Sequence, residues 1–319
     1  SLRDTKKREV ENYLDGKRED LHILTHTLEA IRSEAYRNLQ GQLESKGNNV
    51  ETYLDDMHRQ ILSFTQRKDV IDAANNLGRY FYDVRLDLRL SLEDIERRKK
   101  ELSVYYHRDF SEEYRRRNGR APERVDEKIE QLPIDSIVLQ YAYIRDNPHA
   151  LGSKHLLDRP KDDDGWYSRY HGIYHPSFRQ YASQFGFYDL FLVEPETGMV
   201  LYSVQKELDF APSLRDGPYA HSGLAEAFRQ ARESNPEQPL ALVDYSLYEP
   251  SYREPAGFIA APVYENNRQI AIAVFQFPID RLSAMAGNRT GLGNSGETYL
   301  VGPDFLMRST NDGISNDST

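Results

Sequence analysis

The sequence of 319 residues contains no cysteine. A disulfide framework and thiolate metal sites are therefore excluded. A run of about 18 apolar residues, which a membrane-spanning helix needs, is also missing. The chain has no apolar signal segment and starts at Ser1 without Met, so we expect it to be an excised fragment of a longer protein.

An excess of positive charge is missing as well. The formal net charge is −10, and the isoelectric point is about 5.5. Nucleic acid is therefore not an expected partner. Two basic clusters, residues 97–100 and 115–117, stand among acidic residues, which is typical of solvated helix faces.

The familiar signatures of catalysis are also missing. The sequence has no G-x-S-x-G, no H-E-x-x-H and no phosphate-binding loop. It has one G-x-G-x-x-G, at residues 291–296, but this motif follows a predicted helix and precedes a predicted strand. Nucleotide-binding folds require the reverse order. We therefore predict no enzymatic activity and no cofactor.

Proline is missing from residues 6–106, which we predict to form a helical stalk. Apolar residues recur there at spacings of four and three, with Lys17 in one slot, and such a seam is typical of coiled coils. The seam consists of Val10, Leu14, Leu21, Leu24, Leu28, Ile31 and Ala35. A seam this narrow is buried only against another helix, so we expect a homodimer through the stalk.

Helical periodicity continues until Gly119, with Pro122 as a stop signal. A short helix is predicted for residues 122–131. Residues 133–147 carry signals for both strand and helix, and we predict a helix. Residues 149–164 are polar and predict a loop that ends in a helix N-cap.

The clearest β-hairpin follows a predicted helix over residues 166–185. Two apolar runs, residues 187–193 and 199–204, are rich in aromatic and β-branched residues, as strands require. The turn between them contains Pro195 and Gly198, whose backbone preferences suit its start and its end.

Further elements complete a predicted α+β fold. They are a helix at 222–233, a strand at 240–244, a loop at 245–253, a second hairpin with strands 258–264 and 269–277 around turn residues 265–268, and a helix at 280–286. The order predicts a five-stranded antiparallel sheet with helices on one side. We divide the chain into a helical stalk at 1–132, an α+β module at 133–289 and the start of a truncated second module at 290–319. Residues after 310 are expected to be poorly ordered.

The predicted helix at 166–185 carries an aromatic stripe. Its members are Tyr167, Tyr170, Tyr174, Phe178, Tyr181 and Phe185. Core packing explains such a stripe, but tyrosine also suits a pocket for a small polar ligand, so both interpretations stay open. His171 and His175 have the spacing of paired metal ligands, yet no third ligand accompanies them at a fixed spacing, and we predict no metal site.

A series of short motifs follows in a consistent order along the chain. They are Leu139-Gln140-Tyr141, Asn147-Pro148, Tyr174-His175-Pro176, Phe187-Tyr188-Asp189-Leu190-Phe191, Lys206-Glu207 with Asp209-Phe210, Gly217-Pro218-Tyr219, Phe277-Pro278-Ile279-Asp280 and Gly296-Glu297-Thr298-Tyr299. With them, residues 102–308 resemble the double-Cache, PAS-like extracytoplasmic sensor domains of bacterial methyl-accepting chemotaxis proteins and of related histidine kinases and cyclases.

The resemblance implies an inner-membrane receptor of which this fragment is the periplasmic part, with membrane contact only through transmembrane segments absent from the fragment. It also implies a small-molecule ligand, such as an amino acid, a carboxylate or a similar polar metabolite. The best-known family pocket uses an Arg-x-Trp-Tyr-like element and a later Asp, and this sequence lacks that element in its usual form. The residues in comparable regions are Tyr167, Arg169, Tyr170, Tyr174, Asp244, Tyr245 and Tyr248.

We therefore expect a ligand site between the helix at 166–185 and the sheet. Arg169 is expected to pair with a ligand carboxylate and Asp244 with a ligand amine, with the tyrosines as walls. Two alternatives stay open. One is the sensor domain of a histidine kinase or a nucleotide cyclase, and the other is a structural or protein-interaction module that binds no ligand.

Overall fold

A computed structural model describes residues 2–161, 163–235, 239–288, 292 and 296–309. They belong to two compact units, one drawn from residues 1–53 and 282–319 and the other from residues 54–281. No helix among the described residues combines the length and the apolar character that a bilayer crossing needs.

Helices precede, separate and follow the strands. The α-helices are α1 (Leu2–Thr65), α2 (Lys68–Phe81), α3 (Val84–Asp87), α4 (Leu92–Tyr105), α5 (Ser111–Asn118), α6 (Val125–Glu130), α7 (Ile134–Gln140), α8 (Trp166–Phe185), α9 (Gly223–Glu233) and α10 (Asp280–Gly287). Two π-helical turns, Tyr106–Phe110 and Tyr141–Arg145, extend α4 and α7, and a 3₁₀ turn covers Lys154–Leu156. The helix predicted for residues 133–147 is therefore confirmed.

The strands form one antiparallel sheet with the order β2-β1-β5-β4-β3. They are β1 (Asp189–Val193), β2 (Val200–Ser203), β3 (Ala241–Tyr248), β4 (Glu254–Glu265) and β5 (Arg268–Pro278). Leu192 of β1 pairs with Tyr202 of β2 and with Ala273 of β5. The predicted α+β class and the five-stranded antiparallel sheet are confirmed.

Helices cover both faces of this sheet, so the expectation of helices on one side was wrong. Phe275 of β5 meets Phe64 of α1 at a ring-centroid distance of 5.2 Å. Phe275 pairs with Ile259, so the preceding Phe258 points to the opposite face. There Phe258 lies against Gly223 at the start of α9, where an added Cβ would come within 3.1 Å of the ring. Residues 256–263 are all buried, as expected of a strand covered on both faces.

The β4–β5 turn is tighter than the predicted four-residue connection. Only Asn266 and Asn267 lie outside the strands, with φ angles of 49° and 63°. Two successive residues at positive φ match the right-handed twist of a hairpin, and asparagine tolerates this conformation. Both strands are consequently longer than their apolar runs suggested.

β3 is also longer than predicted, because Ala241–Tyr248 includes four residues that were expected in a loop. The pairing with β4 shifts register between Val243 and Ser246. Such a bulge realigns side chains within a strand, and Tyr248 is buried beyond it. The sequence signal was obscured because the bulge breaks the alternation of apolar and polar residues.

The helical segment before the sheet is interrupted, although the periodicity suggested few breaks. Arg67 adopts an extended conformation between α1 and α2, with φ −71° and ψ 138°. Its guanidinium pairs with Asp69 at 2.7 Å and donates to Ser177 Oγ at 3.0 Å. These contacts stabilise a local conformation that helix propensity alone does not favour.

α8 begins and ends where predicted, but its N-cap differs. The Trp166 N–H donates to Asp87 Oδ2 at 2.5 Å, so the capping carboxylate comes from the end of α3 and not from the preceding loop. Gly165 occupies the N-cap position and provides no side chain. At the other end Gly186 takes a φ of 75°, the left-handed conformation that commonly stops a helix.

In the unit formed by residues 1–53 and 282–319, the predicted stalk seam is exposed. Leu21 is 62% exposed and Leu24 is 55% exposed. Lys46 Nζ donates to Ala286 O at 2.8 Å and to Thr298 Oγ1 at 2.6 Å. Residues 310–319, whose order was predicted to be poor, lie outside the described residues, as does most of the glycine motif at 291–296.

Candidate functional site

One side of the aromatic stripe on α8 belongs to the core. The Tyr167 hydroxyl donates to Leu201 O at 2.7 Å. The Phe178 ring meets the Tyr202 ring edge to face, with centroids 5.3 Å apart. Tyr167 is 1% exposed and Phe178 is fully buried. These side chains join α8 to β2.

The other side of the stripe faces α2. The Tyr170 ring stacks on Tyr80 at a centroid distance of 5.4 Å and lies 6.3 Å from Tyr174. Asn76 Nδ2 donates to the Tyr174 hydroxyl at 3.0 Å. Arg169 is exposed and its Nε donates to a backbone carbonyl of the preceding loop at 2.9 Å. Tyr170 and Tyr174 therefore lie close together on the side of α8 that faces α2.

The predicted site residues of β3 lie at the opposite edge of the sheet, because β4 and β5 separate β3 from β1. Tyr248 is buried and donates to Asp209 Oδ2 at 2.5 Å. Tyr245 donates to Pro278 O at 3.1 Å, and Asp244 is exposed. The structure does not bring these three residues together with α8, and the ligand-binding role of all seven residues stays a prediction.

A cluster of charged residues lies on and beside the sheet, at positions that were not predicted as a site. We call Asp189, Lys206, Glu207 and Asp209 the charged cluster. Asp189, Lys206 and Asp209 are at most 1% exposed, and Glu207 is partly buried. Lysine and acidic side chains are almost never fully buried unless they are paired. This concentration of buried charge therefore identifies a candidate functional region.

Lys206 is surrounded by aromatic rings and backbone carbonyl groups. Its Nζ donates to Ser203 O and lies 4.7 Å from the centroid of Tyr202 and 5.5 Å from that of Phe210. Burial lowers the pKa of Lys206, while the charge of Asp189 opposes this shift. Its backbone has a φ of 59°, a left-handed conformation that is uncommon for a lysine.

Asp189 fixes the chain that follows β2. Its Oδ1 accepts hydrogen bonds from the backbone N–H groups of Val204 at 2.7 Å and Gln205 at 3.2 Å. Its Oδ2 is buried and has no hydrogen-bond partner among the described residues. Burial, followed by the charge of Asp209, raises the pKa of Asp189.

The remaining two carboxyl groups accept hydrogen bonds from hydroxyls. Glu207 accepts from Tyr188 at 2.6 Å and from Ser251 at 2.7 Å, while Asp209 accepts from Tyr248. Asp209 Oδ1 is buried without a partner in the described part of the chain. Burial is the main cause that raises the pKa of both groups. The charge of Asp209 also helps to raise the pKa of Glu207, so these carboxyl groups influence each other's protonation.

Two neighbouring cavities lie beside this cluster. The inner cavity has a volume of about 20 Å³ and is lined by Lys206 and Glu207. The outer cavity has a volume of about 410 Å³, within the roughly 300–1,000 Å³ that small-molecule sites occupy. The two cavities share Tyr105, Leu151 and Lys154 in their walls. Two members of the charged cluster, Lys206 and Glu207, therefore line a small cavity that adjoins a cavity of ligand size.

The outer cavity has a strongly polar wall. Arg145 pairs with Glu101 at 2.7 Å, and Arg108 pairs with Asp109 at 3.0 Å. Lys154 is 6% exposed, and its Nζ donates to Ile144 O at 2.5 Å and lies 5.1 Å from the centroid of Tyr105. Burial lowers the pKa of Lys154 to about 8.

The two histidines of α8 are held by hydrogen bonds. His175 Nδ1 lies 2.6 Å from the Tyr202 hydroxyl and its Nε2 lies 2.7 Å from His155 O, so Nε2 carries the proton and Nδ1 accepts from the tyrosine. His171 Nδ1 donates to Asp158 O at 2.7 Å. Burial lowers the pKa of both rings. In the described residues, no group of three or more His, Cys, Asp or Glu side chains has the arrangement of a metal site.

The sequence contained a signal for the charged cluster. Lys206, Glu207 and Asp209 follow directly after the apolar strand β2, and Asp209 precedes the fully buried Phe210. Charged residues inside an apolar segment are expensive to bury, so they are candidates for a functional role. Their only other signal in the sequence is their place in the motifs that resemble the Cache class.

The chain thus combines a five-stranded antiparallel sheet, covered by helices on both faces, with a cavity of the volume that small-molecule sites occupy. Searches with the chain found no matching family model and no matching curated protein. Solved structures gave matches, of which two are described next.

The first is the sensor domain of the Vibrio cholerae histidine kinase DctB, with 14% sequence identity and a TM-score of 0.29; the match spans 54% of this chain and 57% of that domain. The second is the ligand-binding domain of the Campylobacter jejuni chemoreceptor Tlp3, solved with 4-methylisoleucine, with 11% identity and a TM-score of 0.31; the match spans 80% of this chain and 78% of that one. Both TM-scores are below 0.5, and the two matched proteins are a sensor domain and a ligand-binding domain.

Proposed function

We propose that this chain is a Cache-type ligand-sensing domain that binds a small polar molecule in the outer cavity and catalyses no reaction. The observation that carries the proposal is the position of two members of the charged cluster beside that cavity. Lys206 and Glu207 line the inner cavity, which meets the outer one at Lys154.

Energetics favour a functional role for these side chains. A buried ion pair is often no more stabilising than a well-packed apolar substitute, and an unpaired buried charge is strongly destabilising. Asp189 Oδ2 and Asp209 Oδ1 are buried without hydrogen-bond partners in the described part of the chain. Stability alone therefore gives little reason for such a cluster, whereas ligand recognition does.

The proposed cellular setting follows from the resemblance of the sequence. We place the domain on the periplasmic side of the inner membrane, as the sensor of a chemoreceptor that signals through its stalk helices. The alternative outputs are a histidine kinase and a nucleotide cyclase. Small shifts at a binding site change such receptors because packed helices have discrete alternative arrangements.

A ligand screen tests the sensing role. The whole chain is mixed with amino acids, carboxylates, amines and purines, and thermal unfolding is recorded. A compound that binds only the folded state raises the melting temperature. Candidate ligands are then measured by calorimetry. A screen without any hit contradicts the sensing role and favours the alternative of a protein-interaction module.

Two variants distinguish the possible sites. Asp244→Ala, on β3, should weaken the binding of a cationic ligand by about tenfold or more if the residues predicted from the sequence form the site. Leu151→Trp, in the wall shared by the two cavities, should abolish binding if the ligand occupies the outer cavity. If only Asp244→Ala loses binding, the outer cavity is excluded as the ligand site.

We also propose that the exposed seam of α1 joins two copies of the chain. Its apolar residues keep a coiled-coil spacing, which suits an identical helix, and Leu24 and Leu28 are 55% and 58% exposed. Sedimentation of the chain should show a dimer, and Leu24→Lys with Leu28→Lys should shift it to monomer. The exposed pair Arg18→Gln and Glu19→Gln serves as a control, and a monomeric unmodified chain would contradict the proposal.

A further inference from the structure

We infer that the outer cavity is a site for a small carboxylate and that Lys154 binds the carboxylate group. This inference rests on the proposed sensing role and specifies the chemistry of its ligand. It is carried by the arrangement of the charges around the cavity.

Among the described cations of the cavity wall, Lys154 alone forms no ion pair, although the charge of Asp109 also acts on it. Glu101 pairs with Arg145, and Asp109 pairs with Arg108. No carboxylate of the described residues forms an ion pair with Lys154, whose Nζ has a single hydrogen-bond acceptor there, Ile144 O. Two of the three N–H groups of this ammonium are therefore available to a ligand.

The position of Lys154 is fixed before any ligand arrives. Asn147 Nδ2 donates to the Lys154 carbonyl at 3.0 Å and to Tyr143 O at 2.8 Å. Asn147 Oδ1 accepts from the His149 N–H at 3.0 Å. Asn147 is itself buried and lines the cavity. A site that is held in place loses less entropy on binding, which favours affinity.

The composition of the cavity favours a carboxylate over other anions. The wall carries one positive charge in excess when His149 is neutral, which matches a single carboxylate and not a doubly charged phosphate. Val104 and Leu151 contribute apolar surface beside Lys154. An aliphatic carboxylate presents both kinds of surface, and the buried position of the lysine strengthens its electrostatic interaction with an anion.

The test is calorimetric titration of the whole chain with the monocarboxylates propionate and pyruvate. Propionamide, propylammonium and inorganic phosphate serve as matched probes. We expect at least one carboxylate to bind while the amide and the ammonium compound do not. Lys154→Met should lower the affinity for that carboxylate by about 10- to 150-fold, which is the loss expected when a charge-assisted hydrogen bond is removed. Lys154→Arg should retain part of the affinity.

Lys99→Met is the matched control, because Lys99 pairs with Glu130 at 2.7 Å and lines neither cavity. Its affinity should equal that of the unmodified chain. Circular dichroism shows whether each variant is folded. Binding of phosphate alone or of the ammonium compound alone overturns the carboxylate assignment, as does carboxylate binding that Lys154→Met leaves unchanged.

The outcomes separate this inference from the proposed function. A ligand from the broad screen that is not a carboxylate leaves the sensing role intact and refutes the inference. A chain that binds no compound in either experiment refutes both.

Discussion

Lys154→Met should stabilise the protein at pH 7, although it removes a hydrogen bond. Burial lowers the pKa of Lys154 from 10.5 to about 8. Each pKa unit corresponds to about 1.4 kcal/mol, so the charged form is disfavoured by roughly 3 kcal/mol before solvent screening. The cavity is open to water, and we reduce this figure to about 2 kcal/mol. Methionine keeps most of the aliphatic stem of lysine but carries no charge, so its burial has no cost of charge desolvation.

The substitution also removes stabilising contacts. The hydrogen bond to Ile144 O is worth about 1 kcal/mol net, and the contact with the Tyr105 ring adds up to a few tenths in a partly solvated site. The expected net gain is therefore about 1 kcal/mol, which corresponds to roughly 2–4 °C in melting temperature. Urea unfolding at pH 7 measures it. Lys68→Met, at a lysine side chain that is 89% exposed, should change stability by less than about 0.5 kcal/mol.

The pH dependence gives a second readout of the same reasoning. Between pH 8 and 10.5 the unfolded chain holds more protons at Lys154 than the folded chain does, so the stability of the unmodified protein should rise with pH there. Lys154→Met should lack this contribution. A loss of about 2 kcal/mol or more at pH 7 in Lys154→Met would show that the lysine is a structural group and would refute the reasoning.

Three further predictions concern the fold. Phe178→Ala should cost about 3–5 kcal/mol, because this fully buried ring packs against Phe64 and Tyr202; urea unfolding measures the loss, and a cost below about 1 kcal/mol would contradict the packing. Ser91→Ala should cost about 0.5–2 kcal/mol, since Ser91 and Asp94 form a reciprocal cap at the start of α4; unchanged thermal stability would mean that the cap is unimportant. Burial raises the pKa of Asp189, so its contribution to stability falls as pH rises above about 4 through the raised folded-state value. Asp189→Asn should remove that decline, which unfolding at pH 5 and pH 8.5 tests; an equal decline in both proteins would disprove it.

Local patterns predicted the elements well because their signals lie in neighbouring residues. Gly198 marks the β1–β2 turn and Gly186 ends α8, each with a positive φ of about 70° or more. The apolar runs around them specified strands and helix with errors of one or two residues. β3 was less predictable, because its bulge between Val243 and Ser246 disturbs the alternation of side chains.

Contacts between distant residues were not predictable in the same way. The cap that Asp87 gives to Trp166 joins residues that are 79 positions apart. Lys154 was hidden in a polar loop, where nothing in the neighbouring sequence indicates burial. Its burial results from packing beside Tyr105, which belongs to a different helix. The seven residues predicted as a site form two separate groups, four on α8 and three on β3. This separation depends on the order of the strands in the sheet, which the local sequence does not specify.

The carboxylate of Asp87 has a mechanical consequence. A hydrogen bond of 2.5 Å to the Trp166 N–H does not tolerate a displacement of an ångström along its axis. Separation of α3 from the first turn of α8 by that distance would therefore cost this hydrogen bond, which is worth about 1.5–3 kcal/mol because its acceptor is a carboxylate. Asp87 therefore couples the position of α3 to the start of α8, and a displacement of α3 is expected to weaken the first turn of that helix.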